Sequence, residues 1–314
     1  MRPVTILFLF VFSFISCCSA EKEVYLYTSF HEPADEGLRF LYSYDGFHWD
    51  TIPGVFLKPD VGRQKVMRDP SIVRGGDGTF HLVWTCSWTL EFGFGYASSK
   101  DLIHWSEQKH IPVMAYDTSV VNVWAPELYY EDSAKEFYVV WASTIPYKFE
   151  KGIEEERNNH RLYYTKTKDF VDFSPAELLY DPGFSSIDAV IVKRAPSDYV
   201  LVFKDNTRPN RNILASFGKT PVGPYGDMTE RFTEQFTEGP SVVKIDDEWL
   251  IYFDAYRNKT FEAVSTKDFK NYACANERIQ VPEKHKHGTI VKAPESLLHA
   301  ILDHARNIKQ EKGL

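Results

Sequence analysis

Along most of the chain, apolar and aromatic residues form short β-rich runs that open on a turn signal: Gly78-Thr-Phe-His-Leu-Val-Trp-Thr85, Lys135-Glu-Phe-Tyr-Val-Val-Trp-Ala142, Asp198-Tyr-Val-Leu-Val-Phe203 and Asp247-Glu-Trp-Leu-Ile-Tyr-Phe253. These predict inner strands. A second phrase recurs behind them, with a small residue, Ser or Thr, then Lys/Asp, then a closing aromatic. Its copies are Tyr42 to Trp49, Tyr96 to Trp105, Tyr164 to Phe173, Ala215 to Tyr225 and Ala263 to Tyr272. Successive copies stand roughly 45–70 residues apart, which fits propeller blades of about 40–50 residues carrying insertions. The pattern predicts an all-β chain, a five-bladed β-propeller over residues 21–314. A β-sandwich with coincidental Ser-Lys-Asp turns is the competing reading, and it does not account for the repeated aromatic spacing.

Two stretches leave the repeat. Ile145 to Arg161 is a long polar insertion, either a lid or a disordered loop. Leu297, Leu298, Ile301, Leu302, Ala305 and Ile308 recur at helical spacing and predict a short C-terminal amphipathic helix packed on the blades. At the other end, Arg2 precedes an apolar run from Val4 to Ile15 and small residues up to Ala20, the layout of a secretory signal over residues 1–20. The run is too short to span a bilayer. Two processing sites are open: after Ala20, giving a soluble chain, or just before Cys17 or Cys18, leaving a cysteine for lipidation. The expected location is outside the cytoplasm (periplasmic, cell-surface or extracellular), with any membrane contact made through that lipid. Cys86 and Cys274 are expected to be buried thiols.

Composition narrows the chemistry. A formal charge of −8 over 314 residues argues against a nucleic-acid partner, which requires a basic face. Aromatic content of 15% suits strands and flat sugar-binding surfaces, and the expected partner is a carbohydrate bound by a monomer. Metalloprotease His-Glu pairs, a Gly-x-Ser-x-Gly elbow and phosphate-cradling glycine loops do not occur. Asn258-Lys259-Thr260 is a formal glycosylation sequon.

Carboxylates stand where blade-opening strands are expected: Arg68-Asp69-Pro70, Trp124-Ala125-Pro126-Glu127, Ile187-Asp188-Ala189 and Glu238-Gly239-Pro240. Each opens a different blade, so all would meet at one end of the axial channel. Acids beside Pro and Gly also cap turns, but four in register with a repeat favour a shared site.

From about Val24 to Pro294 these motifs make the chain similar to glycoside hydrolase family 43. The resemblance implies an inverting O-glycosyl hydrolase on a five-bladed propeller, with Asp69 as general base, Asp188 orienting the acid and tuning its pKa, and Glu238 as general acid. It also implies that Glu127, in the Trp-Ala-Pro-Glu phrase, lines a sugar subsite. On this reading Asp69 stays ionised and the Glu238 pKa is raised by burial and the Asp188 charge. Arg68 is a candidate contact, although a neighbour on a strand should face the other way. Trp88, Trp124, Phe184, Tyr256 and Arg257 are further candidate sugar contacts, with core packing the competing reading for the first three. His287, in His285-Lys-His-Gly288, resembles the family's axial histidine, which faces a bound calcium or its water. No cofactor is otherwise required, and ligand spacing here does not argue for calcium.

A blade's length of chain precedes Asp69, which also resembles fructan-hydrolysing relatives. Their early Asn-Asp-Pro nucleophile has only His31-Glu32-Pro33 in its place, which disfavours a retaining mechanism. The expected substrates are α-L-arabinofuranosides or β-xylosides on plant polysaccharide side chains. The alternatives are a galactosidase, an endo-acting xylanase or arabinanase, and a propeller that binds carbohydrate without cleaving it.

Overall fold

The computed structural model describes residues 21–311; the leader reading and Cys17 and Cys18 lie outside the described residues. Nineteen strands form five antiparallel sheets around a central axis. The chain starts with β1 (Glu23–Ser29), β2 (Leu38–Ser43) and β3 (Asp50–Leu57). The second blade is β4 (Arg68–Arg74), β5 (Phe80–Thr85), β6 (Phe94–Ser99) and β7 (Lys109–Ile111). The third is β8 (Trp124–Glu131), β9 (Glu136–Ser143), β10 (Arg161–Thr167) and β11 (Glu177–Tyr180). β12 (Ser186–Ala195), β13 (Asp198–Asp205) and β14 (Ile213–Gly218) make the fourth, and β15 (Thr237–Ile245), β16 (Glu248–Ala255), β17 (Thr260–Thr266) and β18 (Ala273–Cys274) the fifth. The last strand, β19 (Ile290–Pro294), pairs with β1 as the innermost strand of the first blade and closes the ring. The apolar runs taken for inner strands are the second strands of their blades; the innermost are β4, β8, β12, β15 and β19.

The recurring phrase is one turn used four times. The Ser43, Ser99, Thr167 and Thr266 hydroxyls accept from the amides of Gly46, Leu102, Phe170 and Phe269 at 2.8–2.9 Å. Asp45, Asp101, Asp169 and Asp268, two residues after each hydroxyl, accept from the amides that follow. The turn needs a left-handed residue, with φ of 79° at Gly46 and 57–59° at the other three. Leu102, Phe170 and Phe269 accept that conformation while burying their side chains between blades. The fourth copy departs from this: its blade has three strands, and the loop after Gly226 bonds along β14 through Thr229 and Phe232 instead.

The helix α1 (Glu295–Glu311) buries Leu298, Ile301 and Ala305 against Val24, Leu26, Phe40 and Ile72 of the first two blades. Residues 145–161 are not a disordered loop. Glu154, 1% exposed, accepts from Arg208 and Asn158, and the Arg161 guanidinium, equally buried, donates to Asn159, His160 and Glu150. Cys86 is buried as expected. Cys274 is exposed, because β18 is an outer edge strand, and both thiols are free.

Candidate active site

Four innermost strands begin with the same kink. A β-bulge interrupts pairing at Arg68/Ser71, Trp124/Glu127, Ile187/Val190 and Glu238/Ser241, and the second residue of each step is left-handed: Asp69 (φ 50°), Ala125 (46°), Asp188 (54°) and Gly239 (60°). Such a kink breaks the alternation of a strand and re-aims its side chains. For this reason Arg68 and Asp69, adjacent in sequence, line one pocket rather than opposite faces. The freed amides stitch the wedges together: Ala125 donates to the Thr85 hydroxyl (2.8 Å) and Gly239 to Asp188 Oδ2 (3.0 Å).

A pocket of about 90 Å³ at this end of the axis is lined by Arg68, Asp69, Asp188, Glu238 and His287, with Trp88 and Trp124 as its wall. Asp69 accepts from the Thr85 hydroxyl at 2.7 Å and pairs with His287 Nε2 at 2.9 Å. Burial alone would push the Asp69 carboxyl up, but His287 and the Arg68 charge outweigh it and hold the group at about 2. His287 lies between acids, with its Nδ1 3.6 Å from Asp254 Oδ2. Burial opposes its charge, yet Asp254 and Asp69 raise it to about 10, so it is an imidazolium at neutral pH.

Asp188 is raised to about 6 by burial, against the pull of Lys204. Glu238 goes the other way. Burial would raise it, but the Lys204 charge, 2.8 Å from its Oε2, pulls it below the usual carboxylate range, with His287 adding to the effect. The expectation of a raised Glu238 is therefore corrected. Its cause, Lys204, is 2% exposed at the end of β13 and reaches across to the next blade. At the matching position of β16, Asp254 takes an ion pair from Lys286 at 2.8 Å.

Trp124 stacks on buried His160 of the insertion (4.8 Å, 29°) and donates to the Trp88 carbonyl at 2.9 Å; Trp88 covers the Arg68 guanidinium at 3.9 Å. Tyr256 sits beside the site, its ring 5.2 Å from the Lys204 ammonium. Like Tyr256, three further candidates do not line the pocket. Glu127, two residues past its kink, lies one layer down the axis, beside a void of about 20 Å³ and bonded to Thr289 at 3.0 Å. Burial raises its carboxyl to about 8. Phe184 packs against the core near Phe203, and Arg257 lies over Phe236 at 3.3 Å beside a separate surface dent.

The charges around His287 do not fit a calcium ion. Glu238 and Asp254, the oxygen donors beside His287, are each already paired with a lysine, Lys204 and Lys286. Lys204, Asp254 and Lys286 escaped the sequence reading. The signal available was a charged residue closing an apolar strand, as in Val202-Phe203-Lys204 and Tyr252-Phe253-Asp254.

Comparison with known proteins agrees with this geometry. Residues 21–296 match a family described as "Probable glycosyl hydrolase domain", related to glycoside hydrolase family 43. An alpha-L-arabinofuranosidase of Bifidobacterium longum subsp. longum is 25% identical over 56% of the chain; the chain spans 22% of that enzyme's length. Among solved structures, xylan beta-1,4-xylosidase from Bacillus halodurans C-125 superposes with a TM-score of 0.52 at 18% identity, covering 72% of this chain and 46% of that one. Exo-beta-1,3-galactanase from Phanerochaete chrysosporium gives 0.52 at 15%, covering 66% and 49%. At these identities the likeness is one of fold.

Proposed function

Because the chain belongs to the glycosyl hydrolase family related to family 43, we propose that it hydrolyses glycosidic bonds with inversion, Asp69 acting as general base and Glu238 as general acid. One observation carries the reading: Asp69, Asp188 and Glu238, from three wedges of the ring, line a single pocket. Asp69, held ionised, takes the proton of a water attacking the anomeric carbon. Glu238 gives a proton to the departing oxygen. In the free site Asp188 takes up a proton at higher pH than Glu238, and substrate, by excluding water and penalising the Glu238 charge, draws the acidic proton to Glu238. The pocket is small and walled by Trp88 and Trp124, which favours one terminal sugar over a stretch of chain and so an exo-acting enzyme.

The sugar we assign is a terminal α-L-arabinofuranoside or β-xyloside on plant polysaccharide side chains, with support from the arabinofuranosidase relative. The leader-like residues 1–20 support an exported enzyme. Proton NMR of the first product formed from arabinosides, xylosides and galactosides tests sugar and stereochemistry together. Initial release of the inverted anomer is expected; the retained anomer, or no turnover of any of them, overturns the reading. Leaving-group dependence tests the acid: Glu238→Gln should lose far more on alkyl than on dinitrophenyl glycosides, whose leaving group needs no proton.

A second reading, a propeller that binds sugar without cleaving it, is favoured by the Lys204–Glu238 ion pair, which keeps the assigned acid charged in the resting site.

A further inference from the structure

The loop between β5 and β6 carries Trp88, the aromatic wall of the pocket, and its two ends hold ionisable groups that the proposed hydrolysis does not use. Cys86, just after β5, is fully buried, and its thiol makes one weak contact, 3.7 Å to the Gly93 carbonyl. Glu91, with a side chain 6% exposed, accepts from the amides of Arg63 (3.0 Å) and Phe92 (2.9 Å) and pairs with His110 Nε2 on β7 at 2.7 Å. The His110 side chain is 33% exposed, so the cluster opens to solvent on one side. Sulfur, carboxylate oxygen and imidazole nitrogen lie within 4.8 Å of one another.

We propose that Cys86, Glu91 and His110 bind one transition-metal dication, zinc by its donor chemistry, which fixes the base of the Trp88 loop. A thiolate, an imidazole and a carboxylate form a borderline-soft set that suits zinc over calcium or magnesium. Zinc bonds of about 2.0–2.3 Å require the donors to draw together by roughly an ångström, within reach of small side-chain rotations. Water on the His110 side completes the tetrahedron. Binding to the neutral imidazole releases one proton: the Cys86 thiol becomes a thiolate bonded to the metal and its proton goes to solvent, while the hydrogen of the Glu91–His110 bond leaves Nε2 for Nδ1, so that Nε2 and the Glu91 carboxylate each bond the metal. The gain falls on the loop, which is otherwise held at Trp88 by its amide to Gln64 (2.6 Å) and by Trp124 on its carbonyl.

The test uses the full chain, stripped with chelator and dialysed, with cobalt(II) as the spectroscopic probe. One equivalent should give a near-ultraviolet thiolate-to-cobalt charge-transfer band that equimolar zinc discharges. Zinc titration calorimetry in two buffers should report about one proton released per ion, and zinc should raise the melting temperature. Cys86→Ser should abolish the band, and His110→Gln, at a partly exposed position, should weaken affinity about tenfold or more. No band in the parent protein, or a band that survives Cys86→Ser, overturns the proposal. Should Cys86→Ser fail to fold, unchanged affinity in His110→Gln overturns it. None of these readouts depends on hydrolysis, so a failure here is separate from a failure of the glycosidase reading.

Discussion

Lys204 Nζ lies 2.8 Å from Glu238 Oε2, joining a second strand of one blade to the innermost strand of the next, and the lysine side chain is 2% exposed. The ion pair sets which of the two neighbouring carboxyls, Asp188 or Glu238, protonates first as pH falls.

Replacing the lysine should therefore shift the pH profile. In Lys204→Met the charge that lowers both carboxyls is gone, so both rise, and the alkaline limb of kcat/KM, which reports the acid, moves up by about one unit. A limb that stays in place shows that the group titrating there is not Glu238. Urea unfolding at pH 7 should show a loss of about 3 kcal/mol, from a buried carboxylate left without its partner.

His287 ties stability to alkaline pH. Its folded value of about 10 exceeds the ordinary 6.5, so its contribution is full below pH 6.5 and is lost as pH rises through 10. The unfolding free energy from denaturant titrations should fall over that window by an amount on the order of 5 kcal/mol. In His287→Gln this slope should flatten. Asp69, depressed to about 2, loses its share of the same contact as pH falls from 3.8 towards 2.

Glu127 predicts the opposite behaviour for its variant. Its folded value of about 8 lies above 4.5, so the native chain loses stability as pH rises from 4.5 through 8. Glu127→Gln, which mimics the neutral acid, should match the parent near pH 4 and exceed it at pH 9 by about 5 kcal/mol. Equal midpoints at pH 9 would show that Glu127 titrates normally.

Trp88→Ala should act on binding rather than chemistry. With the indole wall over Arg68 removed, KM should rise about tenfold, the equivalent of 1.4 kcal/mol, while kcat changes little. A collapse of kcat with unchanged KM would instead assign Trp88 to orienting Arg68 or the reacting groups.

Much of this was legible in the residues because the turn chemistry is written locally. A hydroxyl at one position and an aspartate two later suffice to bend the chain, so the blades announce themselves wherever Ser43, Ser99, Thr167 and Thr266 recur. Asp69, Asp188 and Glu238 stood out for a similar reason, as acids where a strand should open with something apolar. Register was not legible. Lys204 meets Glu238, and Asp254 meets His287, only because neighbouring wedges align, and no short window encodes that alignment. The depth of Glu127 depends on a left-handed alanine, Ala125, that composition gives no reason to expect.

The order in which the ribosome makes the chain now bears on its chemistry. Asp69, Asp188 and Glu238 all precede the imidazole that holds Asp69 charged, His287, which lies just ahead of β19, the strand that closes the ring. A nascent chain arrested after Glu238 but before His287 would hold all three acids yet lack both the closing seam and that imidazole. On the proposed reading, the acids wait for the closing strand before they can work together.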